Sequence, residues 1–417
     1  MPQFIQRCSL TSLVSALAIL LAACVTPPAQ RVPAPVPELK TTPPAQPTTP
    51  ILPTTPTPPA AAVKPADFLR PATFAELPGW AEDDLREAWP ALMASCTALA
   101  SKSGWQDLCK NALTVNGSDV AAVRAFMEAW FTPYQLRNLD GSLTGMVTGY
   151  YEPLLRGSRN KGGAFQTPLH RAPADLLTID LAALYPELKN LRLRGRQAGN
   201  KVVPYYSRAE MEQQNLLAGK ELLWVDNPVE AFFLQVQGSG RVLLEDGKEM
   251  VRLAYADQNG HPYRSIGRYL VERGELTLDQ ASMQGIKAWV AANPGRQQEL
   301  LNANPSYVFF REEKISDPSK GPKGALGVPL TARRSIAIDP QFIPLGAPVF
   351  LSATLPNSQQ PLNQLMLAQD TGGAIRNPVR ADFFWGFGTE AGELAGKMKQ
   401  QGQLWVLLPT AMVPGVP

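Results

Sequence analysis

Few side chains in this sequence are able to do chemistry, and their spacing narrows the choice further. There are only two histidines, His170 and His261, and there is no HExxH, CxxC, phosphate-type glycine loop or GxSxG. Zinc-dependent hydrolysis and a serine–histidine nucleophile therefore have no sequence support. His261 lies in the turn sequence Asn259-Gly260-His261-Pro262, where an exposed or capping ring is expected. Carboxylates remain, and three aspartates end or interrupt apolar, strand-like runs. These are Asp339 in Ile336-Ala337-Ile338-Asp339-Pro340, Asp370 in Leu367-Ala368-Gln369-Asp370-Thr371-Gly372-Gly373, and Asp382 in Arg380-Ala381-Asp382-Phe383-Phe384-Trp385. A carboxylate set in apolar strand is costly unless it is hydrogen-bonded or held neutral by a raised pKa, and a raised pKa is what a general acid needs near neutrality. Asp339, before a proline, suits a turn whose amides its side chain accepts from, and Asp370, before Thr-Gly-Gly, suits a supporting role. Asp382, followed by three aromatic residues, has the setting most like an apolar pocket and is the expected acid.

The elements that must hold these residues are mostly strands. From Leu143 onward the sequence runs in short β-branched and aromatic stretches bounded by Gly, Pro, Asn or Asp: Met146 to Tyr151, Glu221 to Val225, Ala231 to Val236, Arg241 to Leu244 and Glu249 to Tyr255. After a helical interlude over Tyr263 to Arg273 and Thr277 to Asn293, strand texture resumes. It covers Tyr307 to Arg311, Ser335 to Ile338, Pro348 to Leu351, Leu365 to Gln369, Ala381 to Phe384 and Leu404 to Leu408. A helix is predicted over Glu393 to Gln401. Such close strand spacing is typical of barrels and sandwiches. Ahead of it, Phe74 to about Tyr134 carries apolar residues at helical spacing (Leu85, Trp89, Leu92; Val123, Phe126, Trp130), with Ser118 or Asp119 as an N-cap.

The N-terminus reads as an export signal. Arg7 precedes an apolar run, Leu13 to Ala23, that is too short to span a bilayer as a mature helix. The run ends in Leu21-Ala22-Ala23-Cys24, which resembles a bacterial lipobox, so Cys24 is the expected site of lipidation. Val25, in place of an aspartate, implies sorting to the outer membrane. Residues 24–66 are rich in Pro, Thr and Ala and too poor in apolar surface to fold, so they read as a disordered tether, extended at about 3.1 Å per residue. The net charge of +3, from 39 basic and 36 acidic residues, offers no basic stripe for nucleic acid. With Cys8 in the signal and Cys24 lipidated, Cys96 and Cys109 remain, thirteen apart. In an exported protein a disulfide between them is favoured over two buried thiols.

Five blocks in order carry a family resemblance: Thr148-Gly149-Tyr150-Tyr151-Glu152-Pro153; Val236-Gln237-Gly238-Ser239-Gly240; the run from Tyr255 to Gly267; Asn304 to Phe310; and the aspartate-bearing strands. Together they resemble the membrane-bound lytic transglycosylase A family with its C-terminal three-aspartate domain. The resemblance implies a mainly β (α+β) fold, a double-psi β-barrel with a second β domain inserted into it and a helical segment at the N-terminus. Mapped onto this chain it implies a signal peptide at 1–23, the tether at 24–66, a barrel domain built from 67–155 and 290–412, and an inserted domain at 156–289 flanking a glycan groove. Asp382 matches the family's catalytic aspartate, Asp370 its supporting partner and Asp339 the third aspartate. Asp370 and Asp382 stand twelve apart, about one more than the family pattern.

As to activity, the resemblance implies cleavage of peptidoglycan at the β-1,4 bond between N-acetylmuramic acid and N-acetylglucosamine. One acid suffices if the sugar's own C6 hydroxyl attacks C1 and closes a 1,6-anhydro ring, whereas ordinary glycosidases need two carboxylates. Tyr150, Tyr151, Gln237, Gly238, Ser239, Gly240, Tyr255, Asp257 and Tyr263 are the expected glycan-binding residues, although a tyrosine in a barrel is more often core than platform. Glu152 is a second carboxylate of low standing, since the Gly-Tyr-Tyr-x-Pro block does not require an acid there. No cofactor or metal is expected. The expected partners are glycan strands, the outer membrane through the anchor, and a cell-wall synthesis or remodelling complex. Two alternatives stay open, a muramidase using water and a second acid, and an inactive peptidoglycan-binding lipoprotein.

Overall fold

The computed structural model describes residues 64–188, 191–245 and 247–412. The signal peptide, Cys24 and the tether before Lys64 lie outside the described residues.

The apolar spacing of the N-terminal segment yields helices at Trp89–Leu99, Gln106–Ala112 and Val120–Trp130. Asp119 caps the third by accepting from the amides of Ala121 and Ala122, which satisfies donors that a helix start leaves unpaired. A disulfide between Cys96 and Cys109 ties the first helix to the second. Leu92, Val123, Phe126 and Met127 pack in one cluster with Phe350, Leu365, Leu367, Trp405 and Leu407, so the helices cover one face of the main sheet. The predicted helical span to Tyr134 stops at Trp130, because Phe131–Leu136 pairs as a strand.

The strands, in chain order, begin with β1 (Leu69–Pro71), β2 (Phe131–Leu136) and β3 (Gly145–Glu152). Next come β4 (Leu154–Ser158), β5 (Thr167–His170), β6 (Leu177–Thr178), β7 (Arg194–Ala198), β8 (Lys201–Pro204), β9 (Glu221–Val225), β10 (Gly240–Leu244), β11 (Met250–Gln258) and β12 (Val308–Lys314). The last are β13 (Ser335–Ala337), β14 (Pro348–Thr354), β15 (Pro361–Asp370), β16 (Ala381–Phe387) and β17 (Lys399–Pro409). Eight of them form one mixed sheet in the order β1-β2-β17-β14-β15-β13-β16-β3, and β17 pairs with β3 as well. At that second pairing Lys399 to Gly402 lie opposite Thr148 to Gly145. Gly145 is needed beside it, because a Cβ there would sit 1.7 Å from the Val379 carbonyl oxygen. Val147, Ile336, Val349, Leu351, Met366, Phe383, Trp385, Leu404 and Val406 are buried together between these strands.

A second sheet, β12-β11-β10-β4-β9-β5, and a small one, β6-β7-β8, occupy the chain between Leu154 and Lys314. Where the chain leaves the main sheet, Glu152 is fully buried and receives Arg241 Nε at 2.9 Å and Arg252 Nε at 2.5 Å. The same guanidinium groups donate to the carbonyls of Pro318 and Lys320, on the returning chain. One ion cluster thus holds both crossings. The architecture is α+β and mostly sheet, as the strand texture predicts.

Two local expectations fail. Ala231 to Val236, predicted as strand, lies in the helix Pro228–Gln237. Its flanks explain why: Asn227 accepts from the amides of Val229 and Glu230, Pro228 opens the helix, and Gly238 closes it in the left-handed region at φ 83°. An apolar run of this length fits either element, and the caps decide. The helix predicted over Glu393 to Gln401 instead spans Gly388–Lys397, because Lys399 to Gln401 are taken by the pairing with β3.

Candidate active site

Strand register brings the two C-terminal aspartates together. β13 lies between β15, parallel to it, and β16, antiparallel, so that Ala337 is the register partner of Asp370 on one side and of Asp382 on the other. Asp382 is also opposite Thr148 across the parallel pair of β16 and β3. Side chains alternate along a strand, so Thr148 and Tyr150 of β3 share a face. Each reaches one carboxylate. The Thr148 hydroxyl donates to Asp382 Oδ1 at 2.6 Å, and the Tyr150 hydroxyl donates to Asp370 Oδ2 at 3.1 Å.

The two acids differ in their remaining partners. Asp370 Oδ1 accepts from the amides of Thr371 (2.9 Å) and Ala325 (3.0 Å). Asp382 has the Thr148 hydroxyl, which itself accepts from Arg380 Nη2 at 2.9 Å, so a charge is relayed to the carboxyl through a hydroxyl. Both side chains keep part of their surface accessible. Burial pushes the Asp382 pKa up; the Thr148 bond and the Arg380 charge pull against it, and the Asp370 charge adds to the rise. Burial raises Asp370 too, opposed by the Thr371 and Ala325 amides, the Tyr150 hydroxyl and the Arg192 charge. Tyr150 is driven well above its ordinary value by burial and by both carboxylates, so it stays a donor. The apolar side of the pocket comes from Phe384, which lies 5.1 Å from the Tyr150 ring, with Leu330, Ala337 and Ile375. Phe383 and Trp385, expected to flank the acid, alternate onto the other face and fill the core.

Asp339 is buried and accepts from the amides of Gln341 and Asn377, which pins the loop leading into β16. Tyr151 is buried; its amide donates to Gln237 Oε1 at 3.0 Å, and its ring packs where a side chain on Gly392 would otherwise lie. Gly238 ends the helix before β10, Ser239 is half-buried, and Gly240 is a packing residue whose Cβ would stand 2.3 Å from Leu234 Cδ1. Tyr255 is half-buried beneath the Arg192 guanidinium, 5.7 Å above its ring. Asp257 is ion-paired with Arg194 at 2.8 Å. Tyr263 is 41% exposed, and His261 Nε2 lies 2.7 Å from the Tyr205 carbonyl.

Arg192 also donates to Thr371 Oγ1 at 2.7 Å, which joins the inserted segment to the turn that carries Asp370. Arg192, Arg194, Thr148 and Arg380 are site residues that the sequence reading misses. Arg380 carries a signal in its i, i+2 spacing from Asp382, and Thr148 in its i, i+2 spacing from Tyr150; the two arginines of the insertion carry none. Among the described residues no three of His, Cys, Asp and Glu cluster as metal ligands would. The arrangement can hold a proton on the carboxyl of a part-buried aspartate, deliver it and take one back.

Comparison with known proteins fits this geometry. Residues 146–311 match the family model described as the MltA specific insert domain, and residues 334–408 match the 3D domain. Membrane-bound lytic murein transglycosylase A of Escherichia coli K12 is 34% identical over 298 residues, 70% of this chain and 72% of that protein. The crystal structure of MltA from Neisseria gonorrhoeae is 39% identical and superposes with a TM-score of 0.71, over 84% of this chain and 94% of that one. The structure of E. coli MltA with bound chitohexaose is 29% identical with a TM-score of 0.60, over 78% and 90%.

Proposed function

The chain belongs to the membrane-bound lytic murein transglycosylase A family, and from that premise we propose that Asp382 is its single general acid and base. The protein is a lyase that cleaves peptidoglycan by lytic transglycosylation. In our reading protonated Asp382 gives its proton to the oxygen of the β-1,4 bond between N-acetylmuramic acid and N-acetylglucosamine. The resulting carboxylate takes the proton of the C6 hydroxyl as that oxygen bonds to C1 and closes the 1,6-anhydro ring. No water enters the step. The observation that carries this assignment is a part-buried aspartate, bonded by the Thr148 hydroxyl, whose pKa is raised by burial and by a neighbouring aspartate. Such acid–base work contributes about 10²- to 10⁴-fold, and orientation in the groove supplies the rest.

Asp370 supports the acid by its charge. Tyr255 and Tyr263 offer ring surface to the glycan, with Gln237, Gly238, Ser239 and Asp257 along the same groove and Tyr150, Tyr151 and Gly240 shaping it from beneath. Chitohexaose bound to the E. coli relative supports a glycan as the ligand. The ring of pairings through β3, β16, β13, β15, β14 and β17 is consistent with a double-psi β-barrel built from residues 67–155 and the C-terminal part of the chain. The pairing of β12 with β11 supports a return crossing after Lys314 rather than near 290. The relatives' membrane-bound character supports a lipid anchor at Cys24 in the outer membrane, with the active body facing the periplasm.

The test is the product. Purified sacculi incubated with the form lacking residues 1–66 should release muropeptides whose mass spectra show 1,6-anhydro ends. Reducing ends would identify a muramidase, and no release a binding protein.

A further inference from the structure

Buried arginines in this fold have carboxylate partners: Arg241 and Arg252 hold Glu152, and Arg334 holds Asp83. Arg208 is the exception among the described residues. It is 4% exposed, and it makes no ion pair. Its Nε donates to the Asn304 carbonyl at 3.2 Å, and its Nη2 to Gln235 Oε1 at 2.5 Å and the Ser306 carbonyl at 2.7 Å. The guanidinium plane is fixed between the rings of Phe232 and Tyr307, with centroids 4.9 Å and 4.8 Å away. Burying a cation without its anion is costly, and an anionic ligand would offset that cost.

Arg208 lines a cavity of about 630 Å³ in the inserted segment, a size that holds a small organic ligand. His170 lines the same cavity. Its Nδ1 lies 2.8 Å from the Tyr307 hydroxyl. Burial lowers its pKa to about 4, so the ring is neutral and free to share a hydrogen bond. Trp224 of β9, paired with Pro168 of β5, lines it as well with a half-buried ring. Glu221, the register partner of His170, and Asp226 line it too. Lys161 lines the same cavity with its Nζ 5.2 Å from the Trp224 ring centroid, and Asp226 stands 3.8 Å from Arg156. Cationic donors, an aromatic ring and the Glu221 carboxylate suit a dipolar ligand, a short peptide with a free carboxylate and a cationic group, better than an uncharged sugar. Glu212, one helical turn from Arg208, acts on it through its field, but its carboxylate is engaged by Gln298.

We propose that this cavity binds the free carboxylate end of a short peptide and, resting on the murein reading, that this peptide is the stem carried by the glycan. The site then holds peptide apart from the acid at Asp382, so that the enzyme engages its substrate at two points.

The test is calorimetry or ligand-observed NMR on the full-length Asp382→Asn protein in detergent, which keeps binding separate from cleavage. A synthetic stem tetrapeptide should bind saturably, and its C-terminal amide at least about tenfold more weakly, since a charge-assisted hydrogen bond is lost. Arg208→Gln should weaken the tetrapeptide and leave the amide almost unchanged. Because Arg208 also holds two backbone carbonyls, Trp224→Ala serves as the second variant and should weaken binding without unfolding. Equal binding of acid and amide, displacement of the peptide by chitotetraose, or no binding at millimolar concentration would overturn the proposal. Anhydro products from the wild-type protein in that case would leave the catalytic reading standing.

Discussion

Glutamine at position 152 separates two readings of the second carboxylate. Glu152→Gln keeps the volume and removes one charge from a site with no solvent exposure. The wild-type carboxylate receives three guanidinium bonds, at 2.9 Å from Arg241 Nε and at 2.5 Å and 3.2 Å from Arg252. With it gone, two side chains of 3% and 9% exposure lose their anion. Breaking a buried pair from one side costs about 3–5 kcal/mol. The bonds from both arginines to Pro318 and Lys320 survive and keep the loss toward the lower end. Against a total stability of about 5–15 kcal/mol this is large. Urea unfolding followed by tryptophan fluorescence should show a clearly lower midpoint, while the variant at low temperature still releases anhydromuropeptides. A change under about 1 kcal/mol, well below the cost of orphaning a buried charge, would refute the structural role. A stable, folded and inactive variant would make Glu152 a catalytic acid and revive the muramidase.

Asp382→Asn should lower release from sacculi by about 10²-fold or more while sedimentation with sacculi stays unchanged; lost sedimentation would mean a structural residue. Under the proposed mechanism Asp382 must be protonated to work, so activity should fall as pH rises through its pKa. Thr148→Val removes a bond that favours the ionised form, so the alkaline limb of the pH–rate profile should move up, and a limb that moves down would contradict the relay. Asp370→Asn removes a charge that opposes ionisation, so the same limb should move down. Cys96→Ser with Cys109→Ser opens the crosslink between residues thirteen apart and should cost about 3 kcal/mol in unfolding experiments, with the product unchanged; an unaltered midpoint under oxidising conditions would count against a stabilising bond.

The strands that carry the aspartates are legible because their runs are short, apolar and bounded by turn residues, and β13, β15 and β16 lie where those runs predict. Asp382 stands out because a charge in such a run needs an explanation. The helix at Pro228–Gln237 reads as strand because a continuous apolar run has no period of its own, although Asn227, Pro228 and Gly238 mark its two ends. Partners supplied from far along the chain are not readable. Thr148 is 234 residues from Asp382, and Arg192 is 179 from Thr371. Nothing local marks an arginine whose role is to meet a hydroxyl on a distant turn. Glu152 shows the same limit, since its arginines lie 89 and 100 residues on.

Two aspartates flanking one alanine on adjacent strands should share a pKa, yet the proposed mechanism makes only one of them the acid. The structure breaks the symmetry by donors. Asp370 accepts from two backbone amides and a tyrosine hydroxyl, which favour its ionised form, whereas Asp382 accepts from a single threonine hydroxyl. These donors favour a charge on Asp370, and a charge there makes ionisation at Asp382 harder, against the pull of Arg380. The proton stays on the carboxyl with fewer donors. The amides of Thr371 and Ala325 belong to the backbone, so the donors that distinguish Asp370 do not depend on other side chains. An enzyme that works with one acid and no activated water needs this arrangement. Its acid must be protonated on arrival of the glycan and basic a moment later, and a neighbour with a settled charge provides the first condition without blocking the second.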